Sequence, residues 1–143
     1  MGQENSYEWV PLVSFGPFLF GSSIKEYGDV LCLWDEASPK DGSGLVAYRV
    51  PDKAISVNAV QEIVIYARSW SKVYYKNTNL VGMTIPELER VLGVCGEEDE
   101  DKIEYDDGSV HTDFEFDSLN MVASVSANKV VSVGFGGSDP EFW

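Results

Sequence analysis

Short runs of β-branched and aromatic residues, each closed by turn-forming residues, dominate the chain from residue 45 onward. Runs of about four to eight such residues are typical of strands, and neighbouring runs joined by tight turns pair as antiparallel hairpins. One hairpin is predicted to turn at the Asp107-Gly108 pair, which favours a two-residue type I′ turn. The predicted strands are 45–50, 53–59 (after a Pro51-Asp52 turn), 60–67, 72–76, the two arms around Asp107-Gly108, and the pair 119–126 and 129–135.

One segment, 84–93, has the spacing of a helix instead. Thr84 and Glu87 form a capping box, and Gly93 stands where helices commonly end in the left-handed conformation. Between these caps lies one apolar stripe, formed by Ile85, Leu88, Val91 and Leu92. A weaker signal predicts a short N-terminal helix at 23–27. The sequence therefore predicts an α+β fold, a mainly antiparallel sheet of hairpins with one clear helix.

The length of 143 residues predicts a single domain spanning 1–143, because chains below roughly 250 residues rarely divide. Residues 1–8 are polar and are expected to be frayed. The composition of 35–44 predicts a loop, and 96–101 is expected to be an acidic loop.

The N-terminal region carries no recognisable export signal, since the first basic residue is Lys25 and acids precede it. We therefore expect a cytoplasmic protein. Cys32 and Cys95 form no CxxC motif and are interpreted as buried thiols. Among the aromatic residues, Trp70 and Tyr75 are expected to lie in the core.

A six-residue pattern occurs twice in the chain. Gly21–Glu26 and Gly82–Glu87 both read Gly-x-[Ser/Thr]-Ile-x-Glu, which places a glycine turn before a capped helix start. Two unrelated helix starts would produce such a match often, and this interpretation is the favoured one. A duplicated strand-helix-strand unit is the alternative.

The Asp107-Gly108 turn also predicts which residues face each other across its hairpin. A two-residue loop sets Tyr105 opposite Val110 and Ile103 opposite Thr112, on an apolar face that continues to Phe114 and Phe116. His111 then lies opposite Glu104, and a structural role for it is favoured over a catalytic one. The opposite face is acidic, with Asp113, Glu115 and Asp117 alternating along the strand at about 7 Å spacing.

Negative charge is the most unusual property of the composition. Asp and Glu number 24 against ten Lys and Arg, which gives a net charge of −14, and eleven of the acids lie in 97–117 beside a single lysine. Such a chain is not expected to bind nucleic acid or anionic membranes, because a protein binds either of them through its Lys and Arg side chains. We expect a basic partner instead. The predicted partner-binding residues are Glu97, Glu98, Asp99, Glu100, Asp101, Glu104, Asp106, Asp107, Asp113, Glu115 and Asp117.

Motifs for catalysis and cofactor binding are missing from the sequence. A single histidine and two distant cysteines do not make a zinc site, and no P-loop, dinucleotide fingerprint or nucleophile elbow is present. An EF-hand loop built on Gly108 would place Ile103 at its first ligand position, where a carboxylate is needed. The sequence thus predicts no cofactor, no metal and no enzymatic activity.

These features favour a protein inhibitor that covers a basic toxin domain. Nuclease toxins are cationic because they hold phosphates, and carboxylates presented to the same cations speed association. With its acidity, its EEDED run and the Gly21–Glu26 and Gly82–Glu87 units, the chain resembles the immunity proteins of bacterial contact-dependent growth-inhibition and related polymorphic toxin systems. The resemblance implies a small cytosolic antitoxin that neutralises one cognate toxin.

Two other functions are compatible with the same residues. The first is a small-ligand or cation-binding domain, or a minor enzyme that uses paired carboxylates. The second is a DNA mimic that occupies a DNA-binding protein, which shares the electrostatics of the inhibitor and differs in its partner.

Overall fold

The computed structural model describes residues 7–33, 45–51 and 53–137, apart from the side chains of Leu45, Glu100 and Asp101. In this part of the chain the predicted α+β class is confirmed, since one helix accompanies a mostly antiparallel set of strands. The predicted loop 35–44 lies outside the described residues. No helix within them is both long and apolar enough to cross a bilayer.

The elements are short and follow one another closely along the chain. The helix α1 is Ile85–Leu92, and two 3-10 helices are Ile24–Tyr27 and Asp117–Leu119. The strands are β1 (Trp9–Val10), β2 (Ser14–Phe15), β3 (Phe18–Leu19), β4 (Cys32–Leu33), β5 (Leu45–Arg49), β6 (Ile55–Val60), β7 (Ile63–Ser69), β8 (Tyr74–Tyr75), β9 (Thr78–Asn79), β10 (Glu97–Glu104), β11 (Val110–Phe116), β12 (Met121–Ser126) and β13 (Lys129–Gly136).

Eight strands form one antiparallel sheet in the order β10-β11-β12-β13-β7-β6-β5-β4. Four consecutive strands, β4 to β7, make one half of this sheet, and β10 to β13 make the other. The halves meet where their last strands, β7 and β13, pair antiparallel. Each half is a meander that begins at one edge of the described sheet and ends at its centre, so the sheet has an approximate twofold arrangement.

The same hydrogen bonds recur in the two halves. Gly21 donates to the carbonyl of Val64 at 2.7 Å, and Val64 donates back to Ser22 at 2.9 Å. Gly82 and Met83 make the same pair of bonds with Val130, both at 2.8 Å. The second residue of β7 and the second residue of β13 thus hold the two copies of the six-residue pattern.

Further details repeat on either side of these contacts. The turns into β7 and β13 are Gln61-Glu62 and Ala127-Asn128, and all four residues have positive φ, as a type I′ turn requires. Both hairpins also contain a register shift near their turn. A short hairpin precedes each six-residue pattern, β2–β3 in one half and β8–β9 in the other. The structure therefore favours the alternative of a repeated unit over two unrelated helix starts.

The predicted helix 84–93 is confirmed with its caps. Thr84 accepts a hydrogen bond from the Glu87 amide at 3.4 Å, and the Glu87 carboxylate accepts from the Thr84 amide at 2.9 Å. Gly93 has a left-handed φ of 77°. The bonds from Thr84 lower the pKa of Glu87. The weaker signal at 23–27 corresponds to a 3-10 helix at Ile24–Tyr27, capped by Ser23.

Removing the helix cap is expected to cost stability. Thr84→Ala should lower the free energy of unfolding by about 1 kcal/mol, because the first turn loses its capping hydroxyl. The pKa of Glu87 should rise only in part, because the larger of the two bonds that lower it comes from the Thr84 backbone amide, which alanine keeps. A depressed folded-state pKa contributes stability that is lost on acidification, so the variant should lose less stability below about pH 4.5 than the wild type. Urea unfolding at several pH values measures both effects.

Ser23→Ala is the matched control for this cap. Ser23 accepts from Lys25 at 3.2 Å at the start of a helix of only four residues, so its loss should cost less than that of Thr84. Equal costs in the two variants would contradict the role assigned to the capping box.

Aromatic residues from distant parts of the chain make up the centre of the core. The Trp9 ring stacks on Phe135 at 5.0 Å, and Phe15 meets the edge of Phe135 at 4.8 Å. All three side chains are fully buried. Phe135 lies on the central strand β13, so the N-terminal strands cover the line along which the two halves of the sheet join. Trp70 was expected in the core as well, but 44% of its surface is exposed.

Several predicted boundaries are wrong. The predicted runs 53–59 and 60–67 correspond to β6 and β7, which are joined by a turn at Gln61-Glu62. Because Gln-Glu is not a common turn pair, the sequence does not indicate where one strand ends and the next begins. The run 72–76 forms only the two-residue strand β8. Of residues 1–8, the last two are ordered by neighbours: Tyr7 accepts from the Tyr74 amide at 3.1 Å, and Glu8 accepts from Lys76. Residues 1–6 are outside the described part.

Candidate functional site

The acidic segment is a hairpin at one edge of the sheet. Its strand β10 is the edge strand, and β11 pairs with β10 on one side and β12 on the other. The expectation of an acidic loop at 96–101 is wrong, because Glu97–Glu104 is a continuous strand with a bulge between Glu98 and Lys102. Pairing with β11 satisfies the hydrogen-bonding groups along one side of the β10 backbone, although the charged sequence of β10 has low strand propensity.

The turn of this hairpin differs from the predicted one by a single residue. Gly108 donates to the Tyr105 carbonyl, and Tyr105 donates to the Ser109 carbonyl, both at 2.9 Å. Gly108 has a φ of 89°, whereas Asp107 keeps a negative φ, so the loop is a three-residue turn that ends in a glycine bulge. The strands therefore pair Glu104 with Val110 and Ile103 with His111.

A shift of one residue moves the β10 side chains to the other face of the hairpin. Ile103 now shares a face with His111 and Asp113, and the predicted continuous apolar face is wrong. The predicted His111–Glu104 pair is also wrong: the His111 ring lies against Tyr105, with ring centroids 4.1 Å apart. The predicted inward position of the two β11 phenylalanines is confirmed, since Phe116 is buried and Phe114 packs against the core.

Exposed apolar side chains therefore occupy both faces of the hairpin tip, with Ile103 and Tyr105 on one face and Val110 on the other. Ile103, Tyr105 and Val110 have 46%, 47% and 45% of their surface exposed. The acidic side chains of Glu104, Asp106 and Asp107 lie beside them in the chain and are exposed. The tip thus combines apolar contact area with surrounding carboxylates.

Most of the predicted partner-binding carboxylates are exposed. Glu97 lies directly opposite Glu115, and this pair of like charges costs some stability. Glu98 bonds to Lys102 at 3.3 Å in an exposed ion pair. Asp99 is half-buried and has interactions of its own, while the side chains of Glu100 and Asp101 are outside the description. The exposed members are Glu97, Glu98, Glu104, Asp106, Asp107, Glu115 and Asp117.

Asp113 and Asp117 do not lie in the outward-facing row of carboxylates that was predicted for β11. Asp117 begins the second 3-10 helix and therefore leaves β11. Asp113 is half-buried, and its carboxylate accepts a hydrogen bond from the Ser124 hydroxyl at 2.6 Å. Of the three carboxylates expected in this row, Glu115 is the one that lies exposed on β11.

Asp113 belongs to a polar network that sequence reasoning missed. The Arg68 guanidinium on β7 donates to Ser132 at 2.7 Å and to Ser124 at 3.4 Å, so serines connect it to Asp113. Arg68 also donates to the Tyr66 hydroxyl at 3.3 Å. The network crosses four strands, and its members become neighbours only through the pairing of β11, β12, β13 and β7. It anchors the acidic strand to the centre of the sheet.

Asp107 is held within the turn. Its carboxylate accepts bonds from the Ser109 hydroxyl at 2.6 Å and the Ser109 amide at 2.9 Å. These bonds lower the pKa of Asp107, so the group stays ionised under more acidic conditions. The turn thus presents a fixed negative charge at the far end of the hairpin.

Protection of the sheet edge explains only part of this charge. Charged residues and a bulge on an edge strand prevent pairing with another sheet, and β10 has both. That role does not account for Glu115, which lies on a strand with neighbours on both sides, or for the two aspartates of the turn. The arrangement can attract and hold cationic groups.

The described residues offer little for other chemistry. They contain no group of three His, Cys, Asp or Glu side chains arranged to hold a metal ion. The expectation of buried thiols is wrong, because Cys32 and Cys95 are both exposed. Cys32 lies on the edge strand β4, and Cys95 lies in the connection between α1 and β10, where the sheet does not cover them.

Comparison of the chain with protein-family models, with curated proteins and with solved structures found no match.

Proposed function

We propose that this protein is a small acidic inhibitor of the immunity-protein type, which binds and neutralises a basic cognate toxin domain, with a nuclease as the favoured class. The observation that carries the proposal is the concentration of exposed carboxylates on the β10–β11 hairpin, where Lys102 is the one basic residue of 97–117. The proposed cytoplasmic location follows from the place where such a toxin would act.

Charge on this hairpin supports fast association with a cationic surface. Complementary potentials steer two proteins together and raise the association rate by about ten to a thousandfold. A nuclease presents Lys and Arg to hold phosphates, and carboxylates on a projecting edge hairpin match that surface. Rapid capture matters for an inhibitor because free toxin attacks the nucleic acid of its own cell.

The exposed apolar side chains at the tip can supply net binding affinity, to which exposed charges contribute little. Exposed pairs of charges contribute little net affinity in water, whereas buried aromatic side chains are frequent anchors of protein interfaces. Tyr105 and Ile103 are exposed and alternate along the chain with the exposed acids Glu104 and Asp106, so they can form the apolar centre of an interface with a polar rim. In the proposal, these two side chains are desolvated against the toxin and the carboxylates pair around them.

Reconstitution with the toxin tests the proposal. The partner is sought by affinity capture at low ionic strength, together with any basic toxin domain encoded beside this gene. The purified chain should then abolish the toxin's activity at a one-to-one ratio. A captured partner that lacks a basic surface, or a toxin that stays active in a stoichiometric mixture, would contradict the proposal.

A further inference from the structure

A second feature of the molecule is the peptide bond between Asp107 and Gly108, at the turn of the β10–β11 hairpin. In an Asp-Gly pair the backbone amide that follows the aspartate attacks the aspartate side chain most readily, because glycine has no side chain to hinder the approach. We propose that Asp107 is a site of spontaneous isomerisation to isoaspartate, and that the Ser109 hydroxyl restrains this reaction.

The reaction needs only water and the atoms of the turn. The Gly108 amide nitrogen attacks the side-chain carboxyl carbon of Asp107, and the new C–N bond closes a succinimide ring. One water molecule leaves, formed from the hydroxyl of the carboxyl group and the proton of the amide. Water then reopens the ring at either carbonyl, which restores aspartate or leaves the main chain running through the former side chain as isoaspartate.

Both reacting groups are accessible at the turn. Asp107 and Gly108 are exposed, and Gly108 has a φ of 89° as the glycine of the bulge. Apart from the chain neighbours of Gly108, no atom of the described residues lies within 4 Å of the place where a side chain on it would begin. Packing therefore does not prevent the ring from closing.

Hydrogen bonds to the carboxylate oppose the reaction instead. Asp107 accepts from the Ser109 hydroxyl at 2.6 Å and from the Ser109 amide at 2.9 Å. Both bonds favour the ionised group and lower the pKa of Asp107, and the hydroxyl makes the larger contribution. An ionised carboxylate resists the attack, because it repels the incoming electron pair and has no hydroxyl to release. Ser109 thus reduces the fraction of Asp107 in the protonated form that reacts.

The backbone of the turn adds a second restraint. Gly108 donates to the Tyr105 carbonyl at 2.9 Å, and Tyr105 donates to the Ser109 carbonyl at the same distance. The attacking nitrogen has to give up its proton, so the first of these bonds must break before the ring closes. Reaction therefore requires the turn to open as well as the carboxyl group to be protonated.

Isomerisation would change the shape of the hairpin and keep its charge. Isoaspartate retains one free carboxylate, but its main chain is longer by one carbon. The added atom would lie in a short turn that sets the Glu104–Val110 and Ile103–His111 pairs. The chemistry is independent of the proposed inhibitor function, whereas a loss of partner binding after isomerisation would rest on that function.

Peptide mapping by mass spectrometry on the full chain tests the proposal. The protein is kept at neutral pH in water labelled with heavy oxygen, which enters residue 107 each time the ring reopens. The same chain unfolded in urea gives the rate without the turn. We expect the folded chain to take up label at residue 107 at least about tenfold more slowly, because a hydrogen bond to a charged group contributes about that factor. Mapping separates this site from the other Asp-Gly pair, Asp41-Gly42, which lies outside the described residues.

Variants connect the restraint to the hydroxyl group. Ser109→Ala removes the larger of the two bonds and keeps the amide, so residue 107 of the folded variant should take up label about tenfold faster than in the wild type. Ser109→Thr keeps a hydroxyl and should stay within about twofold of the wild type. His111→Gln removes the ring that lies 3.3 Å from the Ser109 hydroxyl and should have a smaller effect than Ser109→Ala. Circular dichroism shows whether each variant is folded.

Three results would overturn the proposal. The first is that residue 107 takes up no label in the unfolded chain, and the second is that it takes up label as fast in the folded wild type as in urea. Both of these use the wild-type chain and do not depend on the folding of a variant. The third is that Ser109→Ala reacts no faster than the wild type or Ser109→Thr.

Discussion

Neutralising three hairpin carboxylates is expected to slow association with the partner by about tenfold at low ionic strength. The changes are Glu97→Gln, Glu104→Gln and Glu115→Gln, all at exposed positions of β10 and β11. Loss of steering acts on the rate of encounter, so the dissociation rate should change less. The variant should also keep its fold, because it removes the repulsion between Glu97 and Glu115. Stopped-flow mixing measures the association rate.

A matched triple variant distinguishes the effect of where the charges lie from the effect of the total net charge on the association rate. Glu26→Gln, Asp29→Asn and Glu62→Gln remove the same three charges from exposed positions in the first half of the chain. Glu62 forms only an exposed ion pair with Lys25, at 3.3 Å, so its loss costs little stability. This variant should associate nearly as fast as the wild type. Equal slowing in both triples would show that only the total charge matters and that the hairpin is not the contact surface.

The largest loss of stability is expected from Phe135→Ala. This side chain is fully buried between Trp9 and Phe15, on the strand that joins the two halves of the sheet. Truncation of a buried phenylalanine costs about 3–5 kcal/mol, from lost burial and the cavity that remains. Domains are stable by about 5–15 kcal/mol, so much of the total would be lost. Denaturant unfolding, monitored by circular dichroism, measures the change.

Leu19→Ala is the control for this truncation. Leu19 lies on β3 with 49% of its surface exposed, so its loss should cost less than about 1 kcal/mol. If Phe135→Ala cost no more than Leu19→Ala, the N-terminal strands would not hold the centre of the sheet as described.

Local signals made the helix and several strands predictable. The caps of α1 depend on residues within one turn of each other, namely Thr84, Glu87 and Gly93, so a linear pattern contains all the information. The hairpin at Asp107-Gly108 was recognised for the same reason. Its register was not, because Asp-Gly fits both a two-residue turn and the three-residue turn observed, and the choice shifts every pair by one residue.

Contacts between distant strands could not be predicted. The link from Asp113 through Ser124 to Arg68 requires the order β11-β12-β13-β7, in which the last strand comes from the first half of the chain. A linear sequence does not show this link, since hairpin patterns indicate which strands are joined but not how hairpins pair with one another.

The repeat was visible in the sequence only as a six-residue pattern. The glycine turns and capping residues occur in both halves because they determine the backbone conformation, whereas the strand side chains differ between the halves. The difference includes charge, as Arg49 and Glu115 occupy equivalent positions. At this position the repeated frame carries a basic residue in one half of the sheet and an acidic residue in the other.

The structure of the complex with the captured partner tests the central claim most directly. Glu104, Asp106 and Glu115 should lie within about 4 Å of lysine or arginine nitrogens of the partner, with Tyr105 buried between the two proteins. A complex in which these carboxylates face bulk solvent and the partner contacts another surface would contradict the account.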